Sequence, residues 1–473
     1  MTPSNGYRTV SDRRFLGVVV PSVFLQEEGI DAVLDALESV QASAVCLSPT
    51  TSVVQAEGEG VRFPDLHVDG HQRVLERRIA GRDQLYLVSS LAYTPEAALY
   101  RAGPYMPPSG VSSSEAAPQS IVHDAATSAR ARGMTVHLQL NPLMPPGLRT
   151  EDLPVAVDES HPRAPQVARL GCINNPDVNA YAAALAADTL RAFDMLDGLV
   201  IDWAEFPAYR LDELTTCFCA HCAETARVAG IDWPRVKGDV HAVWDRLHTL
   251  SSHDLARVRR AVGSASGLLE LLALYPGLVD FVRFKALSVE AFFQSMARVV
   301  RSSARPSVGL TARGWAPPWN RVSGFDVRRL AQICDAVAPK LFSFDYAAIP
   351  RWYGQPLREW NPALPEDELI RTLLACMDLI ETPSRTVLED FQIPRPDEKH
   401  PVDSAAYRRR IAELLDQVSG RSACHPIAHA YGPLHDWEET LRTLARTDVD
   451  GIWVQMYGYL GDEKLRVLAD TWK

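Results

Sequence analysis

Asp202, Trp203 and Glu205 follow directly on the apolar run Gly198-Leu-Val-Ile201, inside the stretch Leu196 to Tyr209. Two carboxyl groups at this spacing can divide acid–base work, one donating a proton while the other serves as nucleophile or base. A short, wholly apolar run reads as a buried parallel strand. An acid that ends such a strand is costly to bury without a role, which makes Asp202 the first candidate for nucleophile or base. The plain alternative is that Asp202 caps the next helix and Glu205 lies on the surface.

Other apolar runs end in equally polar company: Asn141, Arg313 with Trp315, Asp345 with Tyr346, His429, and Gln455 with Tyr457. Carboxylates, amides, a guanidinium and aromatic rings gathered with almost no apolar wall suit a sugar, whose C–H faces stack on rings and whose hydroxyls need polar partners. Cleavage of a glycosidic bond takes two carboxyl groups. The partner of Asp202 is therefore sought among Glu205, Asp345 and Glu389. Each has a structural alternative: Asp345 can pair with Lys340 or Arg351, Arg313 can be buried against one of these acids, Glu389 can be rim charge, and His429 can be a satisfied core histidine.

A second constellation is Cys217-Phe-Cys219-Ala-His-Cys222. The two-residue gap between Cys219 and Cys222 lets both sulfurs reach one zinc ion, Cys217 or His221 adds a third ligand, and Cys172, on the other side of the central strand, is the candidate fourth. The reading is a structural zinc, not required for catalysis; the alternative is three buried thiols in a helix-rich turn.

These residues must be positioned by a regular frame, and short apolar runs alternate with amphipathic stretches along the whole chain, the pattern of strands and helices around a parallel sheet. Strands are expected at Phe15 to Pro21, Ser43 to Ser48, Met134 to Leu140, Leu199 to Ile201, Ser307 to Ala312, Ala336 to Phe344, Arg385 to Phe391, His425 to Ala430 and Gly451 to Tyr457. That is nine candidates for the eight places of a (β/α)8 TIM barrel, with a further strand, Gln84 to Ser89, in a long excursion. Asn175 and Pro176 suit the cap and first turn of the helix leading to the central strand. The predicted architecture is α/β: a single elaborated barrel over residues 1–473 with a helical insertion, 210–277, after strand 4. An open doubly wound sheet lacks its Gly-rich fingerprint here.

The net charge of −11 argues against a nucleic-acid partner, and no apolar run reaches the length of a membrane span. The apolar segment after Arg13-Arg14 lacks a small-residue cleavage site and ends in Gln26-Glu27-Glu28, which favours a buried strand over an export signal. Eight cysteines without a signal peptide point to a reducing, cytoplasmic setting. A homo-oligomer is compatible with the composition.

The segments Cys172-Ile-Asn-Asn-Pro176, Asp197-Gly198 to Tyr209, and Cys217-Phe-Cys-x-x-Cys222 together resemble uncharacterised glycoside-hydrolase-like TIM-barrel proteins of bacteria. That resemblance implies a (β/α)8 barrel acting on carbohydrate, with an Asp at the end of strand 4. The acids are also similar in placement to those of barrel α-galactosidases, which take an Asp from strand 4 and an Asp from strand 6, here Asp202 and Asp345. Cellulase-type barrels use Glu after strands 4 and 7, for which Glu205 and Glu389 would stand. The expected activity is hydrolysis of a small glycoside or oligosaccharide. A carbohydrate lyase or isomerase, or a non-catalytic sugar-binding barrel, are the alternatives.

Overall fold

The computed structural model describes residues 14–64, 73–108, 120–163, 167–379, 386–401 and 404–472. Eight strands form the barrel: β1 Phe15–Val19, β2 Ala44–Leu47, β3 Thr135–Leu140, β4 Gly198–Ile201, β5 Gly309–Trp315, β6 Ala336–Leu341, β7 Ile427–His429 and β8 Gly451–Gln455. Each pairs in parallel with the next, and β8 returns to β1 in the register Phe15↔Gly451, so the ring is closed. The fold is the (β/α)8 barrel expected from the alternating pattern.

Side chains alternate between lumen and helices with period two. The lower lumen is a small apolar cluster that includes Phe15, Cys46, Val200, Ala338, Ile427 and Trp453, with His137 edge-on to the Trp453 indole. Gly17 admits that indole, because a Cβ there would lie 2.2 Å from a ring carbon. Two residues further along the strands, the same inward parity falls on Gln139, Asp202, Lys340, His429 and Gln455. The residues that could do chemistry therefore form the next lumen layer, at the C-terminal mouth.

Two strands differ from expectation. The run Arg385 to Phe391 is not a barrel strand: Arg385 lies outside the described residues, and residues 386–391 form a loop with a 3₁₀ turn at Leu388–Asp390. Strand six ends at Leu341 and not at Phe344, since Ser343–Trp360 is a helix that carries Asp345 in its first turn. Pro350 and Pro356 sit inside that helix, and prolines are poor signals of a helix interior. The excursion after β2 contains a three-stranded antiparallel sheet, Thr50–Val54, Val61–Phe63 and Leu85–Leu91. Asp65 to His67 and Gly110 to Ser114, in the same excursion, lie outside the described residues.

The helix Pro176–Ala192 begins as its sequence suggests: the Asn175 side chain accepts from the backbone of Asp177 and Val178, and Pro176 takes the first turn. It delivers the chain to β4. Between β4 and β5 lie the helices Ala220–Val228, Trp233–Leu247, Ser252–Gly263, Ala265–Leu274 and Gly277–Ser302. Among the described residues no single helix is long and apolar enough to cross a membrane.

Candidate active site and thiol cluster

Asp202 is the centre of the upper lumen layer. Its Oδ1 lies 2.7 Å from Lys340 Nζ on β6 and accepts from the Trp203 backbone at 2.8 Å. Its Oδ2 lies 3.6 Å from Arg313 Nη1 on β5 and accepts from Gln139 Nε2 on β3 at 3.2 Å. Arg313 donates in turn to Gln139 and, at 2.9 Å, to Gln455 on β8. Asp202 is thus 4% exposed and held in an ion pair. The physical reason is parity: the residues that face Asp202 across the narrow lumen are two cations, and a buried carboxylate is stable only when so paired.

Trp203 covers this layer. Its backbone is left-handed, φ 59, a conformation that strains a bulky residue and that the Asp202 carboxylate offsets by accepting its N–H. The Lys340 ammonium lies 3.9 Å from the centre of its ring. The indole is half-buried and tilts against Tyr209 at 5.7 Å.

Glu205, three residues beyond Asp202, is buried, 2% exposed. Its Oε2 accepts from the backbone of Trp315 at 3.0 Å and from Ser323 Oγ at 2.8 Å, while its buried Oε1 has no hydrogen-bond partner among the described residues. Burial pushes its pKa up to about 7, against the opposing pull of Lys340, and the nearby Asp202 adds to the rise. Burial foremost, then the charges of Asp345, Glu205 and Asp202, drive the Tyr209 phenol far up. Glu389 is not among them; it is exposed on its 3₁₀ turn.

The other expected sugar contacts divide. Asn141 is exposed at the end of β3 and accepts from Gln139 at 3.4 Å. Trp315 is buried against Tyr209, ring centres 4.4 Å apart. His429 sits among the rings of Phe342, Phe344 and Tyr459, its Nδ1 accepting from the Tyr431 backbone. Tyr346 stacks on Trp319 and donates to the Lys340 carbonyl, and Tyr457 donates to Glu28 at 2.8 Å beneath Arg77. Tyr346 and Tyr457 are therefore packed into the wall. Gln139 and Lys340 belong to the layer without figuring among the expected site residues; the signal for each is a polar residue two places from a lumen-facing one, His137 or Ala338.

The four cysteines converge. Cys172, Cys217, Cys219 and Cys222 have sulfurs all within 4.8 Å of one another, with Cys172 3.5 Å from Cys219, 3.5 Å from Cys222 and 3.8 Å from Cys217. Asn174 Nδ2 donates to Cys222 Sγ and the Val155 backbone to Cys217 Sγ. Hydrogen bonds from Cys172, Cys217 and Cys222 pull the Cys219 thiol well below its usual range. A buried four-thiol cluster of this size could hold a metal ion.

No protein-family profile matches the chain, and no match is found among curated proteins. Among solved structures it is similar to the PgaB (BpsB) glycoside hydrolase domain from Bordetella bronchiseptica, with a TM-score of 0.50 and 12% identity over 98% of this chain and 99% of that one. It is also similar to the catalytic domain of beta-amylase from Paenibacillus polymyxa, with a TM-score of 0.47 and 9% identity over 98% of each chain. The likeness to the PgaB domain is one of fold, the (β/α)8 barrel described above.

Proposed function

We propose that the protein is a glycosidase acting on a small glycoside or oligosaccharide, with Asp202 as nucleophile or base and Glu205 as the proton donor. One observation carries the reading: two carboxyl groups at the barrel mouth sit in opposite environments, Asp202 paired with Lys340 and Glu205 buried with its pKa raised to about 7. Environments that set two acids apart in this way are how one site holds an acid and a base at neutral pH. Glu205 would protonate the glycosidic oxygen while Asp202, oriented by Lys340, Arg313 and Gln139, attacks the sugar or activates a water. The glycoside hydrolase name of the PgaB domain supports the same direction. The test is release of new reducing ends from a panel of glycosides: Asp202→Asn and Glu205→Gln should each lower kcat by about 10²- to 10⁴-fold, and hydrolysis that survives both overturns the assignment.

The enclosure of Asp202 favours a second reading, a non-catalytic sugar-binding barrel in which the Asp202–Lys340 pair is structural. It predicts saturable sugar binding that Asp202→Asn leaves intact, with no turnover of any glycoside.

The thiol cluster is proposed to hold a structural zinc. Zn–S bonds of about 2.3 Å set tetrahedral sulfurs about 3.8 Å apart, close to the spacings here. Cys172 comes from the segment before β4 and the other three from the segment after it, so the ion would tie the two together.

A further inference from the structure

A cleft of about 420 Å³ opens between the segment after β3, the segment after β4 and the helix Ser343–Trp360. That volume lies within the range of small-molecule sites. The half-buried Trp360 lines it, with the buried Trp244 and Trp352 behind. Its charges are mixed: Asp158, Asp212 and Glu359 face Arg163 and Arg210. We infer that this cleft binds an uncharged oligosaccharide, as the distal part of a substrate whose reacting bond lies at Asp202; the second clause rests on the glycosidase reading above.

The chemistry of the lining selects the ligand. The Trp360 indole, stacked on His248 with ring centres 3.9 Å apart, supplies apolar surface for the C–H groups of a sugar ring, and carboxylates and guanidiniums together satisfy hydroxyls, which both donate and accept. An anionic ligand meets an excess of carboxylates. A cationic one finds the face of Trp352 already taken by Arg210, 5.6 Å from the ring centre. The cleft adjoins the barrel mouth across one buried ring: Tyr209 packs 5.9 Å from Trp352 on one side and 5.7 Å from Trp203 on the other.

Its walls are fixed before any ligand arrives. Asp212 Oδ2 accepts from the Arg163 backbone at 2.8 Å, and Glu213 Oε2 accepts from the backbones of Tyr209 and Arg210. Tyr353 OH donates to the Ala208 carbonyl, joining the helix Ser343–Trp360 to the same segment. The Phe218 backbone donates to the Val155 carbonyl at 2.7 Å, which ties the segment after β3 to the thiol cluster. Preorganised walls bind without the cost of ordering.

The experiment is calorimetric titration of the full chain with maltotetraose, cellotetraose, mannotetraose and chitotetraose, in wild type and in Trp360→Ala, Arg210→Ala and the exposed Glu359→Ala. At least one tetrasaccharide should bind, and Trp360→Ala or Arg210→Ala should weaken it by about tenfold; Glu359→Ala, a change at the surface, keeps the test open if the other two misfold. No binding, or binding that all three variants leave unchanged, overturns the inference. Binding that depends on Trp360, with no hydrolysis of any glycoside, leaves the cleft standing and removes the catalytic reading. Hydrolysis that depends on Asp202 but not on these three residues does the reverse.

Discussion

Glu205 and Asp202 respond to opposite perturbations. Below its unperturbed value of 4.5, Glu205 is protonated in both folded and unfolded chains; as pH rises the unfolded chain loses the proton first, so stability falls between 4.5 and about 7. Glu213, buried and likewise pushed up to about 7, adds to the same loss, each group contributing about 3 kcal/mol. Glu205→Gln should therefore flatten part of this slope in denaturation measured from pH 4.5 to 8, and unchanged pH dependence would contradict the burial argument. For Asp202 the sensitivity is to deletion, because losing the carboxylate strands two cations. Asp202→Ala should cost about 3–5 kcal/mol in chemical denaturation, and Asp202→Leu with Lys340→Met should recover much of it, because removing both partners leaves less uncompensated charge.

At the scale of elements, the segments either side of β4 are joined at the thiol cluster. Cys219→Ser should lower bound zinc well below one ion per chain by elemental analysis, and it should lower Tm together with it. The two-residue gap and the count of four ligands made this cluster legible in the sequence. The upper lumen layer was legible only in part: Asp202 stood out because it interrupts an apolar run, whereas Lys340 looked like the partner of a later acid and Gln139 like a neutral strand residue. A single strand's sequence does not reveal which inward-facing residue of another strand stands opposite it, since that depends on the register and closure of the ring. Tyr346 and Tyr457 misled because each is polar just beyond an apolar run yet lies in the helical turn after the strand, packed into the wall. Asp345 was placed at the end of a strand because two prolines hid the helix that carries it.

At the scale of the molecule, alternation of strand and helix was enough to identify a closed barrel, and the ninth strand candidate fell away because only eight strands fit the ring. Gly17 shows how tightly the ring is filled: Gly17→Val should destabilise the barrel by about 1–3 kcal/mol or more, read by urea denaturation, since the added carbons meet the Trp453 indole. The seam between β1 and β8 joins residues far apart in the chain, Phe15 and Gly451. During synthesis the first strand must therefore wait, one edge unpaired, until β8 has left the ribosome. Gln455, on that late strand, accepts one of the hydrogen bonds of Arg313. A nascent chain stopped short of it would carry the acid and its cations without the enclosure that sets them, so the site is finished only as the ring is finished.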